Sequence, residues 1–352
     1  MQRVSCDTKS RQAFWYTKKK YDKKEFERAK ELIEKYSEGG GFTALMPLNR
    51  GKKYCKKEGD SMMNFVNTSF IKKIPKGMKF EGVDMGKVNE SAFFMSMGFI
   101  VHEETHAFTS QAKYDMFGKH KKTVGKTVYF EIPSGMRSSF YLEGWGTHHV
   151  PHIALYDSNE ITKILPANKF NVMRYKTYIL GTKDGAARQD GMYGLLNEYH
   201  AYYHGTTFVN NLYKAGVDKS YANEYTAFAE FSLFILKYLE YAKTKYPRVY
   251  KSNMAQKLLM ETFVRIHDKY ESVFCERASL INKHDDIIAN YKNIGKVTYK
   301  GHTCSVSLNV YKTTGKTTFY NNAKELQNYL TELQTPAMIN MMKEVRKASG
   351  VK

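Results

Sequence analysis

"GFIVHEETHAF", residues 98–108, sets His102 and His106 four residues apart and puts Glu103 directly after the first histidine. Upstream, "ESAFFMSMGFIV" covers nearly every face of a helix with apolar side chains, and Asn89 is a good capping residue just before it. The sequence therefore predicts a buried helix from about Asn89 to Ser110. Residues four apart on a helix stand one above the other, so both imidazoles face one point. Glu103, about 100° further round, leans over that point without coordinating. Two neutral nitrogens that hold Zn2+, beside a carboxylate that takes a proton from the attacking water, are the mechanical content of H-E-x-x-H. Three titratable side chains on a buried helix are costly unless they are paired or bound to metal.

Catalytic zinc usually has three protein ligands and one open position. Two glutamates downstream qualify, Glu143 in "YLEGWGTHH" and Glu198 in "LLNEYHAYYHG". Helical geometry favours Glu198. Gly194, Glu198, Ala201 and Gly205 fall at i, i+4, i+7 and i+11, a narrow stripe on which everything but the glutamate is small. Such a stripe lets two helix backbones approach closely, so that a short carboxylate reaches a metal held on the neighbouring helix.

His102-Glu103-x-x-His106 followed by a helical Asn197-Glu198-x-x-Ala201 resembles the gluzincin metallopeptidases, whose third zinc ligand is a glutamate on a later helix. The resemblance spans about 110 residues and two short motifs. It implies His102, His106 and Glu198 on Zn2+, Glu103 as general base, and a peptide or protein substrate. Two departures stand out. Many gluzincins carry an acid four residues after the ligand glutamate, where this chain has Tyr202, whose hydroxyl is a substitute donor to the first histidine. The separation of His106 from Glu198 is also long, which keeps Glu143 in play, because "EGWG" resembles the ligand pattern of other gluzincins.

The remaining histidines fit less well. His148, His149 and His152 follow the Glu143 turn, where one of them is a candidate donor to a developing oxyanion. His200 and His204 sit four apart on the Glu198 helix but are turned about 200° to 240° away from it, so they cannot share its metal.

The expected fold is α+β: a zincin-like core, a largely helical second half and a small C-terminal β-hairpin region. Residues 1–20 read as a tail, 21–215 as the catalytic region and 216–352 as the helical C-terminal region, with the hairpin near 295–320. Residues 21–36 form an amphipathic helix stopped by "SEGGG", "TVYFEIP" and "SSFYLEG" read as strands, and 181–191 as a basic loop. A second long helix starts near Asp190, helices fill 220–282, and a last helix starts at about Ala323.

Composition bounds the rest. The chain has 352 residues, is 42% hydrophobic and carries a formal charge of +20, so it can bury a sizeable core and favours anionic partners. The lysines are scattered, and no nucleic-acid motif accompanies them. The four cysteines form no C-x-x-C pair, and no stretch has the ~18 continuous apolar residues of a membrane span. These features point to a secreted or envelope-associated zinc metallopeptidase working beside an anionic surface, with a cytoplasmic location as the alternative. The rival reading is a non-catalytic metal-binding protein of the same fold that docks on an envelope surface. An intact Glu103 argues against it, since zinc binding alone does not require that residue.

Overall fold

The computed structural model describes residues 2–4, 14–16, 101–102, 105–106, 109, 120–124, 127–132, 136–181, 185–214, 223–282, 294–307 and 323–351. Glu103 and the helix expected over 21–36 lie outside the described residues. Within the segment read as a tail, β1 (Gln2–Val4) pairs antiparallel with β2 (Phe14–Tyr16). Val101, His102, Thr105, His106 and Thr109 are helical. Val101, Thr105 and Thr109 are buried, and the Thr105 hydroxyl donates to the Val101 carbonyl at 2.7 Å, which satisfies a hydroxyl that has no water.

Between the two motif helices the described residues from 120 to 155 are largely extended, as the alternation of "TVYFEIP" and "SSFYLEG" requires. The strand β4 (Thr127–Glu131) lies between β3 (His120–Val124) and β7 (Ala154–Leu155), all antiparallel. The strands β5 (Arg137–Leu142) and β6 (Gly146–Pro151) form a separate hairpin closed by Glu143, Gly144 and Trp145. Gly144 (φ 75°) and Gly146 (φ 83°) take left-handed backbone that the tight turn requires. That turn leaves Glu143 exposed at the hairpin tip.

The rest of the described chain is mostly helical. A short α1 (Ala167–Phe170) precedes a π turn over Tyr175–Ile179. The stretch expected to be a basic loop contains α2 (Gly185–Gln189), because its Ala-Ala centre favours a helical turn that docks on the next helix. The long α3 (Gly191–Lys214) follows. Helical structure over 220–282 is divided into α4 (Ala227–Lys245), α5 (Pro247–Ala255) and α6 (Lys257–Asn282). Pro247 starts a new helix at a position where its missing N–H costs nothing. In α4 every residue from Ala227 to Leu239 is buried, so this helix is the axis against which α3 and α6 pack.

The C-terminal hairpin expected near 295–320 is described as far as Ser307. It pairs β8 (Ile294–Tyr299) with β9 (His302–Ser307) around Lys300 (φ 48°) and Gly301 (φ 77°), and 308–322 lies outside the described residues. The single final helix expected from Ala323 is two helices, α7 (Ala323–Leu333) and α8 (Pro336–Ser349). Pro336 breaks the run, Thr335 caps α8 through its hydroxyl, and Gly350 (φ 71°) closes it in the left-handed conformation. One buried cluster runs from Tyr129 to Val345 and draws on β4 to β8 and α1 to α8. Among the described residues no helix is long and apolar enough to cross a membrane. The architecture is α+β, mostly helical with small antiparallel sheets.

Candidate metal centre

The HEETH helix and α3 bring His102, His106 and Glu198 into one group, with one ligand atom of each within 4.8 Å of the others. The His102 and His106 Nε2 atoms are 3.0 Å apart. Glu198 Oε2 is 3.2 Å from His106 Nε2 and 3.8 Å from His102 Nε2. His102 and Glu198 are buried, and the His106 side chain keeps 17% exposure, so the group is reached from the His106 side.

These distances fit a shared ion. Tetrahedral zinc with bonds of ~2.0–2.2 Å to nitrogen and oxygen sets its ligands about 3.3–3.6 Å apart, and 3.0, 3.2 and 3.8 Å bracket that spacing. The buried Oε2 of Glu198 accepts no hydrogen bond in spite of the imidazole beside it. It and the two imidazole Nε2 atoms stand close enough together to share one ion. His106 Nδ1–H donates to Asn197 Oδ1 at 3.0 Å, which fixes the tautomer and leaves Nε2 bare toward that point.

Behind His102 lies a layered support. The Tyr202 ring stands edge-on to His102 with centroids 4.3 Å apart, and the Arg174 guanidinium lies 4.5 Å from the centre of the same ring. Arg174 pairs with Glu230 at 2.7 Å, and both side chains are fully buried. Removing either partner of such a pair strands a buried charge and costs about 3–5 kcal/mol. Tyr202 therefore steadies His102 through its ring. The expectation that its hydroxyl bonds the histidine is corrected, because that hydroxyl meets Tyr178 Oη at 3.1 Å. Burial pushes the Tyr202 phenol up to about 12, Arg174 opposes the shift and Glu198 adds to it. Burial and Glu198 also hold Tyr178 well above its ordinary value. Both phenols stay protonated at neutral pH.

Gly194 does not serve the approach of the HEETH helix. A Cβ there would lie 2.0 Å from the Ala187 carbonyl oxygen, so the small residue admits α2 and not the metal helix. Glu143 is exposed in the hairpin turn and is not part of the histidine–glutamate group. His148 stacks on Trp145 and sits 3.0 Å from its carbonyl. His149 lies 2.8 Å from Ser139 Oγ, and buried His152 lies 2.8 Å from Ser138 Oγ and stacks on Tyr193. None of the three joins the metal-ligand group. His200 and His204 face away from it toward the Tyr141 carbonyl, as the helical angles require.

Sequence reasoning missed the role of Asn197 and the supports Arg174, Tyr178 and Glu230. Asn197 adjoins the ligand glutamate and carried a readable signal. The other three are distant in sequence and announce nothing locally.

Comparison with protein-family models, curated proteins and solved structures finds no match for the chain.

Proposed function

We propose that this protein is a zinc-dependent hydrolase acting on peptide bonds, with His102, His106 and Glu198 holding the ion and Glu103 as general base. One observation carries the reading: two imidazole nitrogens and an unbonded, buried carboxylate oxygen converge from two helices at tetrahedral-edge distances. When bound, zinc supplies Lewis acidity that polarises a carbonyl and lowers the pKa of water. Glu103, next to His102 in the sequence, takes a proton from the attacking water and passes it to the leaving amine. Asn197 holds the His106 ring, and Tyr202 backs His102. The protonated phenols of Tyr178 and Tyr202 keep negative charge away from the back of Glu198.

The test uses the full chain, zinc analysis and a mixture of quenched fluorescent peptides. Glu103→Gln is expected to keep its zinc and lose at least about 100-fold in turnover, whereas His102→Ala loses both. A chain that retains no zinc after supplementation overturns the reading. A zinc-loaded chain without turnover on peptides leaves the non-catalytic metal-binding alternative.

A further inference from the structure

We infer that the protein has a second metal site, separate from the first, in which His200 Nε2, His204 Nε2 and the Tyr141 carbonyl oxygen bind one late first-row transition-metal ion. Two histidine pairs in the molecule share one geometry. The His102–His106 rings have centroids 4.6 Å apart, planes at 85° and Nε2 atoms 3.0 Å apart. His200 and His204, also four apart on a helix, have centroids 4.5 Å apart, planes at 87° and Nε2 atoms 2.9 Å apart. An oxygen completes each triangle. In the second it is the Tyr141 carbonyl, 2.8 Å from His200 Nε2 and 2.9 Å from His204 Nε2.

Protons alone do not account for this triangle. The Tyr141 oxygen only accepts. The Tyr141 N–H donates to His200 Nε2 at 3.3 Å, which marks that nitrogen as bare. The shortest contact of the three, 2.8 Å from His200 Nε2 to Tyr141 O, then brings two lone pairs together. A proton on His200 Nε2 instead sets two N–H groups facing each other, or leaves His204 Nε2 bare against the oxygen. Every proton arrangement makes at least one contact repulsive, whereas a cation in front of the three atoms makes all of them attractive.

The surroundings agree. His200 Nδ1 lies 3.1 Å from Thr109 Oγ1, which accepts from Nδ1–H in the tautomer whose Nε2 is bare, the one that the Tyr141 N–H selects. Asn197 does the same for His106. Both histidines are buried, at 0% and 2% exposure. Two imidazoles and a carbonyl suit zinc or copper and not magnesium or calcium, which take oxygen sets. The set is neutral, so water or hydroxide fills the remaining positions of a bound ion.

The probe is Zn2+ alone, counted by mass analysis after excess metal is removed. The unmodified chain is expected to retain two zinc ions. The His102→Ala/His106→Ala chain is expected to retain one, and adding His204→Gln removes it. Absorption fine structure of the one zinc in the double variant should show two imidazoles and oxygen, a readout that needs no change at His200 or His204. One zinc in the unmodified chain with none in the double variant overturns this proposal and leaves the first site intact. A retained zinc with fewer than two imidazole ligands also overturns it. One zinc in the double variant but no more in the unmodified chain overturns the first site instead.

Discussion

At the residue scale, Asn197 and Glu198 divide the work of one helical turn. Glu198 offers a carboxylate oxygen, Oε2, with no hydrogen bond, and its neighbour takes the outer nitrogen of the same histidine that this oxygen approaches. A lost outer hydrogen bond typically costs ~10–100-fold in metal affinity, so Asn197→Ala should weaken zinc binding by about that factor, as read by competition with a chromophoric chelator. Asn197→Asp keeps the acceptor and should restore it. Equal affinity in Asn197→Ala and the unmodified chain would remove Asn197 from the site. Glu198→Ala should lose zinc and Glu143→Ala should keep it, because Glu143 sits at an exposed hairpin tip. The identities of His102, His106 and Glu198 were legible because i, i+4 spacing and a small-residue stripe are local patterns. The choice between two glutamates was legible only as a preference, since a turn and a helix both present a carboxylate. Which oxygen His106 Nδ1 meets depends on how two helices 91 residues apart are set against each other.

At the scale of elements, Gly194 of the small-residue stripe on α3 has a different purpose from the one its pattern suggests. Gly194 faces the backbone of α2, with Ala187 O 2.0 Å from where a Cβ would stand. The contact is with backbone, so it cannot relax by a rotamer change, and Gly194→Ala must push α2 off the start of α3. The expected loss is about 1–3 kcal/mol, offset only in part by the better helix propensity of alanine. Urea unfolding measures it, and a variant as stable as the parent would show that α2 does not seat there. Periodicity found the strands β4 and β5 and the long helices, because each alternates or repeats within its own residues. It missed α2, whose five residues gain their stability from docking. It also ran α7 and α8 together, although Pro336 was in plain sight, because the apolar pattern continues on both sides. Thr335 is the cap that such a break should have suggested.

At the scale of the whole molecule, the core buries ionisable groups well away from the metal ligands, and this sets how the fold responds to acid. His267, on α6, is buried against Phe228 and Phe263 and lies 3.1 Å from Ser232 Oγ, which in turn meets Tyr199 Oη at 2.7 Å. Burial lowers its pKa to about 4; Glu271 and Asp268 oppose the shift, while Arg346 and Lys300 reinforce it. The unfolded chain titrates this histidine near 6.5, so the folded state binds fewer protons between the two values. A depressed pKa gives stability that is whole above about 6.5 and lost as pH falls through about 4. At pH 4.5 the loss from this one group is about 2–3 kcal/mol, a large share of a typical stability of ~5–15 kcal/mol. His267→Gln removes the titration. After chelation of metal, urea unfolding of the parent should therefore lose about 2–3 kcal/mol more between pH 7.5 and 4.5 than unfolding of the variant does. Parallel pH dependences in the two chains would show that His267 is protonated in the folded core without penalty, and acid sensitivity would then have to come from the paired carboxylates such as Glu271, held below its ordinary range by Lys300 and Tyr299.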